Sequence, residues 1–518
     1  MHTARSCFLL LVLLVMSGCY STSRMDRYNA ENVSTSAREE NGISSETIAD
    51  ASASSTSSGN LPGDIVLKLD RRSVLAFATD YSRDLQTKRD DLYRKGLSLF
   101  GTRRNFGIQT TGTIEYLFAG DEAAEVEQQS RAIASIERIL PMGGSITIAG
   151  SAETVEEDLS DSRDRTTADI RLDQPLLAGS GYTASHDALI QAERDYIYAL
   201  RAFTLERQDF AINTLQAYYN LLRQRKGLEN ASTNYHQFVF LRERSEALFK
   251  VNRAPAIDVL RSQQEELSAL NRMTTADELY KVQAGRFLVQ LGLPSDGQIE
   301  LADDIPEMRE ITLQEERAGE LALTRRLDLN TTRDQLADAE RKLNVAKNAY
   351  LPDVNIFGQS SWSDGDTFFT NAPAADQRWQ AGVRAEIPLD RRSERDAIRL
   401  AEIARDAARR ALDEKTETIL LDVREAYSRI RSLRVSVDVE QKNIEIAERR
   451  ATNALLEFRN GRLSNRDVVE AANDLLNARN AYISALADYE IQRLTLLRKV
   501  GLLDVGRDGE IIELQPDA

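Results

Sequence analysis

The 518-residue chain carries 66 Lys and Arg against 82 Asp and Glu, for a formal net charge of -16, and an acidic balance of this kind excludes the basic face that a nucleic-acid partner needs. Only 10 Pro and 26 Gly punctuate it, which favours long elements over many short ones. Its 2 Cys, Cys7 and Cys19, leave the body with neither a disulfide framework nor a Cys-based metal site.

At the N-terminus, Arg5 precedes an apolar run from Phe8 to Met16, and Ser17, Gly18 and Cys19 follow. This is the pattern of a signal peptide over residues 1–18. Small residues just before a cysteine resemble the bacterial lipobox, which implies cleavage before Cys19 and lipidation of its thiol and amine; Met16 departs from the usual Leu, Val or Ile. Tyr20, where an Asp would signal retention, resembles the pattern of lipoproteins sent on to the outer membrane. Plain secretion, with Cys19 a small residue near an ordinary cleavage site, is the alternative.

Residues 19–60 are Ser, Thr, Ala, Asn and Glu with hardly any large apolar side chain, so they cannot offset their ordering entropy and read as a disordered tether. The folded body is expected from residue 61. Val74 to Leu99 reads as a helix, with Leu75, Ala78, Ser82, Leu85 and Leu92 on or near one face. Phe106 to Phe118 alternates as a strand, Ser145 to Gly150 is a second candidate strand, and Ala123 to Leu140 between them looks helical. In Ala168 to Leu176, Asp169, Arg171 and Asp173 stand opposite Ile170 and Leu172, and strand gives way to helix at Pro175.

From His186 to Gly292 the helical pattern dominates, with Leu189, Tyr196, Phe203 and Phe210 at heptad spacing and a break around Asn252 to Pro255. An acidic connector, residues 294–320, leads to a helix over Leu321 to Ala349. After Pro352 come the strands "DVNIFGQSSWS" and "WQAGVRAEIPL". In the latter, Ala381, Val383, Ala385 and Ile387 face one way while Gln380, Arg384 and Glu386 face the other, which suits a wall with lipid on one side and water on the other.

Pro388 to Leu502 reads as two very long amphipathic helices joined by one turn. The outgoing seam is Leu412, Thr416, Ile419, Val423, Ala426, Ile430, Leu433 and Val437, then Ile444, Ala447, Ala451, Ala454 and Phe458; the returning one is Val468, Ala471, Leu475, Ala478, Tyr482, Ala485 and Tyr489. The outgoing arm reaches roughly 100 Å at the helical rise, more than a globular core encloses. The two halves also match each other: Phe249, Asn252, Asp258, Val259 and Gly292 correspond to Phe458, Gly461, Asp467, Val468 and Gly501, each pair offset by 209 positions. Pro175 pairs with Pro388 at an offset of 213, so the outgoing helix of the first half is longer by about one turn. The chain is an internal duplication, with repeats over residues 61–293 and 321–503 and a C-terminal tail over 504–518.

With "FRNGRLSNRDVVEA", "QPLLAGSG" and "IPLDRRSERD" at matching places, the stretch from about residue 61 to 503 resembles the TolC family of outer-membrane efflux channels. The resemblance implies a mixed, mainly α fold: long coiled-coil hairpins forming a periplasmic α-barrel, plus a membrane β-barrel to which each protomer of a homotrimer gives four strands. It implies a passive export duct of a tripartite efflux or type I secretion system, embedded in outer-membrane lipid and joined through a periplasmic adaptor protein to an inner-membrane transporter. The turns, with Asn252, Arg253, Gly461, Arg462 and Leu463, are the expected adaptor contacts, and Asp467, Glu470 and Asp258 match the carboxylates of the periplasmic gate. Phe458 and Leu463 stand where the family holds this entrance shut with a Tyr and an Arg, so any closing link has to run differently, through Arg462 or Arg466 to Asp258. In the plainer reading, Ser464 and Asp467 form a capping box. The rival function is a lipid-anchored periplasmic coiled-coil scaffold without a pore. No catalytic constellation, cofactor or metal site is expected: His2 leaves with the signal peptide, and His186 and His236 read as packed or solvated.

Overall fold

Heptad seams and alternating strands separate cleanly in the computed structural model, which describes residues 67–120, 126–158, 161–252, 255–302, 305–364, 376–460, 462–506 and 508–515. The chain forms two compact units, and each draws on both halves of the duplicated sequence. One comprises Leu92–Leu200 with Thr331–Asp413; the other comprises Arg201–Asn330, the chain from Glu414 onward, and the described residues before Leu92.

The second unit is organised by helical hairpins. Helices α4 (Asp187–Lys250) and α5 (Ala256–Gln290) make the first, and α8 (Arg392–Arg459) and α9 (Asn465–Val500) the second. The expected seam of α8 is the side it buries: Ile419, Val423, Ala426, Ile430, Val437, Ala447, Ala454 and Phe458. Its core gathers Leu215, Tyr218 and Leu222 of α4, Phe287 of α5 and Leu291 just past its end, Leu494 of α9, and Val74, Leu75 and Ala78 of α1 (Arg71–Tyr81).

Two short pairings close this core. Strand β1 (Leu67–Leu69) lies parallel to β6 (Ile299–Leu301), so the expected acidic connector is a strap on the core rather than a loop. Strands β9 (Leu503–Val505) and β10 (Ile511–Glu513) form a hairpin inside the expected C-terminal tail, with Leu503 and Val505 fully in the core. Arg493 fixes that hairpin through Glu490 at 2.8 Å and Glu513 at 2.7 Å, all three on elements of this unit.

The sequence reads one helix where the structure has two, twice. Residues 71–105 break at Ser82 into α1 and α2 (Arg83–Asn105), and residues 315–349 break at Arg326 into α6 (Glu315–Arg325) and α7 (Leu327–Ala349). At both breaks a glycine from the end of a long helix is seated. Gly292, at φ +84, follows α5 and lies against the Tyr81 carbonyl; Gly501, at φ +79, follows α9 and lies against Arg325. Both close Schellman turns, with Leu293 N–H donating to Leu288 O and Leu502 N–H donating to Leu497 O at 2.8 Å each. Beside the second break, Arg326 and Lys415 reach the Asp328 carboxylate at 2.7 and 2.8 Å. Burial raises the pKa of Asp328, but these two cations outweigh it and hold the group well below the usual carboxylate range.

The other unit holds a six-stranded antiparallel sheet in the order β2-β3-β4-β5-β7-β8. Its strands are β2 (Ile108–Gly120), β3 (Val126–Ile139), β4 (Ser145–Asp158), β5 (Asp161–Pro175), β7 (Asp353–Asp364) and β8 (Asp376–Glu386). The helical reading of Ala123 to Leu140 is thus corrected. Its Ala, Glu, Gln and Arg favour a helix locally, yet β3 is paired along its length on both sides, and that pairing overrides propensity. The count of four strands implied by the resemblance is corrected too: the first half supplies four and the second half two. The short helix α3 (Tyr182–Ser185) follows β5, and His186 at its end stacks on Phe106 and Tyr182 with ring centroids at 4.8 and 4.5 Å, a packed rather than ligating histidine.

Because a Cβ at position 292 overlaps the Tyr81 carbonyl and the backbone there is left-handed, Gly292→Ala is expected to destabilise the protein by about 2 kcal/mol or more. Gly227→Ala, in open space within α4, is expected to be neutral or slightly stabilising. Thermal unfolding of both variants checks this; equal midpoints would show that the seat carries no load.

Candidate functional site in the sheet and at the helical turns

Register sorts the sheet residues onto two faces. One face carries Ile108, Ile114, Tyr116, Phe118, Ile136, Ile148, Ile170, Leu172, Ile356, Trp379 and Val383, each between 40% and 77% exposed. The opposite face is charged and polar. Glu115, Arg131, Glu153 and Arg165 stand side by side on β2, β3, β4 and β5, an alternating row in which every neighbour has the opposite sign. Below it, Ser151 and Thr167 share a hydrogen bond of 2.6 Å, and Gln380 donates to Gln359 at 2.9 Å. The expected division of β8 holds, with Val383 beside Ile356 on the apolar face and Gln380 beside Gln359 on the polar one. A sheet whose apolar side is this exposed requires an apolar medium or partner on that side and water on the other.

The turns of the helical hairpins lie in the other unit. Asn252 takes φ +52, the left-handed conformation an Asn tolerates at a helix end, and its N–H donates to Phe249 O at 2.9 Å. In the second turn the Arg462 N–H donates to Glu457 O at 2.9 Å, while the Arg462 guanidinium, largely exposed, pairs with Glu457 at 3.5 Å. Leu463 is 38% exposed. Among the proposed contact residues, Arg253 and Gly461 lie outside the described residues, as does Cys19.

Asp467 does cap α9: its carboxylate accepts from the Ser464 N–H at 3.1 Å and the Ser464 hydroxyl at 2.6 Å. Those bonds hold its pKa below the usual Asp value. Glu470, one turn on, is not part of the cap. It pairs with Arg450 of α8 at 2.9 Å, and the same guanidinium also binds Asp474, so one cation serves two acids of α9. Asp258 is held by its own helix, pairing with Arg261 at 3.7 Å rather than with Arg462 or Arg466 within the protomer. The two turns nevertheless meet, since the buried Asn465 donates its side-chain N–H to Asp258 O at 3.2 Å. Beneath them Phe458 is core, packed with Phe238, Leu241, Val468 and Ala471 and covered by the Arg244 guanidinium 5.0 Å from its ring centre.

Arg450, Arg244 and Asn465 are the residues that sequence reasoning missed. One signal pointed to the first of them: Glu470 and Asp474 are like charges four residues apart, an arrangement that costs stability unless a cation faces both.

Residues 318–502 match the family described as outer membrane efflux protein. The match takes in the second repeat, from the start of α6 through β7, β8, α8 and α9. Solved structures extend the likeness beyond that stretch to most of the chain. The outer membrane channel CmeC of Campylobacter jejuni is similar with a TM-score of 0.63 and 14% identity, over 83% of this chain and 85% of that one. The outer membrane protein VceC of Vibrio cholerae gives 0.62 and 13%, over 83% and 96%. The open state of the MtrE outer membrane channel of Neisseria gonorrhoeae gives 0.60 and 13%, over 83% and 88%. At such identities the likeness establishes the fold, which is the mainly α, mixed architecture that the TolC-family resemblance implied. Curated protein sequences give no match.

Since the folded pKa of Asp467 is lowered, the stability it contributes through the cap of α9 is present above the ordinary Asp value of 3.8 and is lost as pH falls through its lowered value. Asp467→Ala is therefore expected to lower the unfolding temperature at pH 7, with the gap to the parent closing at acid pH. A gap that stays constant down to pH 2 would assign the effect to something other than the carboxylate.

Proposed function

We propose that the chain is one protomer of a homotrimeric outer-membrane channel that extends into the periplasm and serves as a passive export duct. It receives cargo from an inner-membrane transporter through a periplasmic adaptor protein, as part of a tripartite efflux or type I secretion system. The observation that carries this reading is the sheet, apolar and exposed on one face and charged on the other, in a chain whose solved likenesses include outer membrane channels. A coiled-coil scaffold without a pore has no use for such a sheet. The reading assigns no bond-making step to any residue, so no enzyme activity is proposed.

The domain plan goes with it: a signal peptide over 1–18, a tether anchored by lipid on Cys19 and running to residue 60, and two repeats, 61–293 and 321–503, around the connector 294–320. The turns at Asn252, Arg253, Gly461, Arg462 and Leu463 are the adaptor's contact, and their arginines make that contact polar and salt-sensitive. Asp467, Glu470 and Asp258 form the periplasmic gate. In a trimer the first two bring six carboxylates to one entrance, and Arg450 is the cation that partly neutralises them.

Purified protein in planar bilayers is expected to give discrete channels, and Glu470→Gln is expected to reduce cation selectivity or block by multivalent cations without loss of the trimer. A stable trimer that never conducts favours the scaffold; conduction unchanged by Glu470→Gln and Asp467→Asn removes these acids from the entrance. Cysteine crosslinkers at Asn252 and Leu463 are expected to trap a periplasmic partner in cells, and the mature N-terminus is expected to weigh as a lipidated Cys19. An unmodified terminus, or turns that trap nothing, removes the corresponding assignment.

A further inference from the structure

The duplication shows where the sheet has grown. In the second half, α7 leads into the hairpin β7–β8 and then into α8; in the first half, α2 leads into four strands before α4. Helices α2 and α7 are each 23 residues long, β5 ends at Pro175, and β8 ends two residues before the matched Pro388, so β2 corresponds to β7 and β5 to β8. The hairpin β3–β4 is the addition.

That hairpin is built into the middle of the sheet. It is paired with β2 on one side and β5 on the other along nearly its whole length. It continues both faces, with Ile136 and Ile148 on the apolar side and Arg131 and Glu153 in the middle of the charged row. Its turn is seated on the connection from β5 to α4. Met142 O accepts from Gly181 N–H at 3.2 Å and from the Gln174 side chain at 3.1 Å, and Gly143, at φ +89, lies so close to Gly179 O that a Cβ would overlap it. Removing the hairpin from the sheet would open two ladders and leave that seat empty.

The outer edges then decide what the sheet does with six strands. Among the described residues no strand pairs with the free side of β2, 13 residues long, or of β8, 11 residues long. An antiparallel sheet with an even number of strands ends on strands of opposite direction, so β2 of one copy fits antiparallel against β8 of the next. In lipid those edges have to be paired, because no water is there to satisfy them. A second copy of this chain is the partner that presents the matching edge.

We propose that the added hairpin enlarges the membrane barrel to eighteen strands, six from each of three protomers. The trimer rests on the channel reading given above; the six-strand share does not. Barrel diameter grows about linearly with strand number, so this barrel is about one and a half times as wide as one built from four strands per protomer. Barrels of 16–18 strands leave an aqueous lumen.

Electron microscopy of the unmodified protein in lipid nanodiscs is expected to count eighteen strands. Cysteine labelling reads the same point independently, since the body has no native thiol. Thr147→Cys and Ser135→Cys, on the polar face, are expected to react with a membrane-impermeant maleimide about ten-fold faster than Ile148→Cys and Ile136→Cys, on the apolar face. A conducting trimer with twelve strands, or with no such alternation along β3 and β4, overturns the enlarged barrel and leaves the channel standing. A protein that forms no trimer overturns both.

Discussion

A backbone that enters lipid has to satisfy its own hydrogen bonds, and in the proposed channel the sheet of this protein answers to that constraint. Inside the sheet each strand is paired in register with its neighbours, from Ile108 opposite Arg138 at one end to Asp353 opposite Glu386 at the other. The side chains then divide by medium. Trp379, Val383 and Ile108 are among the most exposed apolar groups of the described residues, an arrangement that costs free energy in water and gains it in hydrocarbon. The proposed closure of the sheet against further copies answers the same requirement, since free edges in lipid are tolerable only when paired.

The helical unit answers to a different constraint, the need to hold long helices in fixed register. Coiled-coil seams alone leave long helices free to slide by a heptad, because successive seam residues are similar. Here the ends are fixed by specific seats. Gly292 and Gly501 finish the returning helices at the breaks that split α1 from α2 and α6 from α7, and a side chain is excluded at the first. Charged clusters mark the same level, with Arg326 bridging Asp328 and Asp422 while Lys499 reaches Asp422 from the end of α9. The internal duplication repeats the seat, while Ser82 and Gln290 stand at the first break where Arg326 and Lys499 stand at the second.

Much of this was legible in the sequence. The α8 seam from Ile419 to Phe458 is buried as its spacing predicts, the turns fall where Asn252 and Asn460 interrupt the pattern, and Ser464 with Asp467 is a cap. What was hidden depended on long-range pairing. Strand β3 alternates only weakly, and its Ala and Glu content suggests a helix until β2 and β4 are placed on either side. The breaks at Ser82 and Arg326 carry no Pro or Gly of their own; the glycines responsible lie far along the chain. At the turns, the sequence singled out the acids but not Arg450, whose partners sit 20 and 24 residues away on another helix.

If the sheet lines a duct as proposed, the row Glu115, Arg131, Glu153 and Arg165 has a consequence for what moves past it. Charges that alternate from strand to strand cancel within a few ångströms, and at physiological ionic strength the remaining field is screened over about 8 Å. A solute travelling along the axis of a wide lumen lined this way meets a wall that is wettable yet electrically almost blank. Anions, cations and neutral molecules are treated alike there. In that reading, discrimination by charge falls to the proposed gate, where Arg450 offsets Glu470 and Asp474.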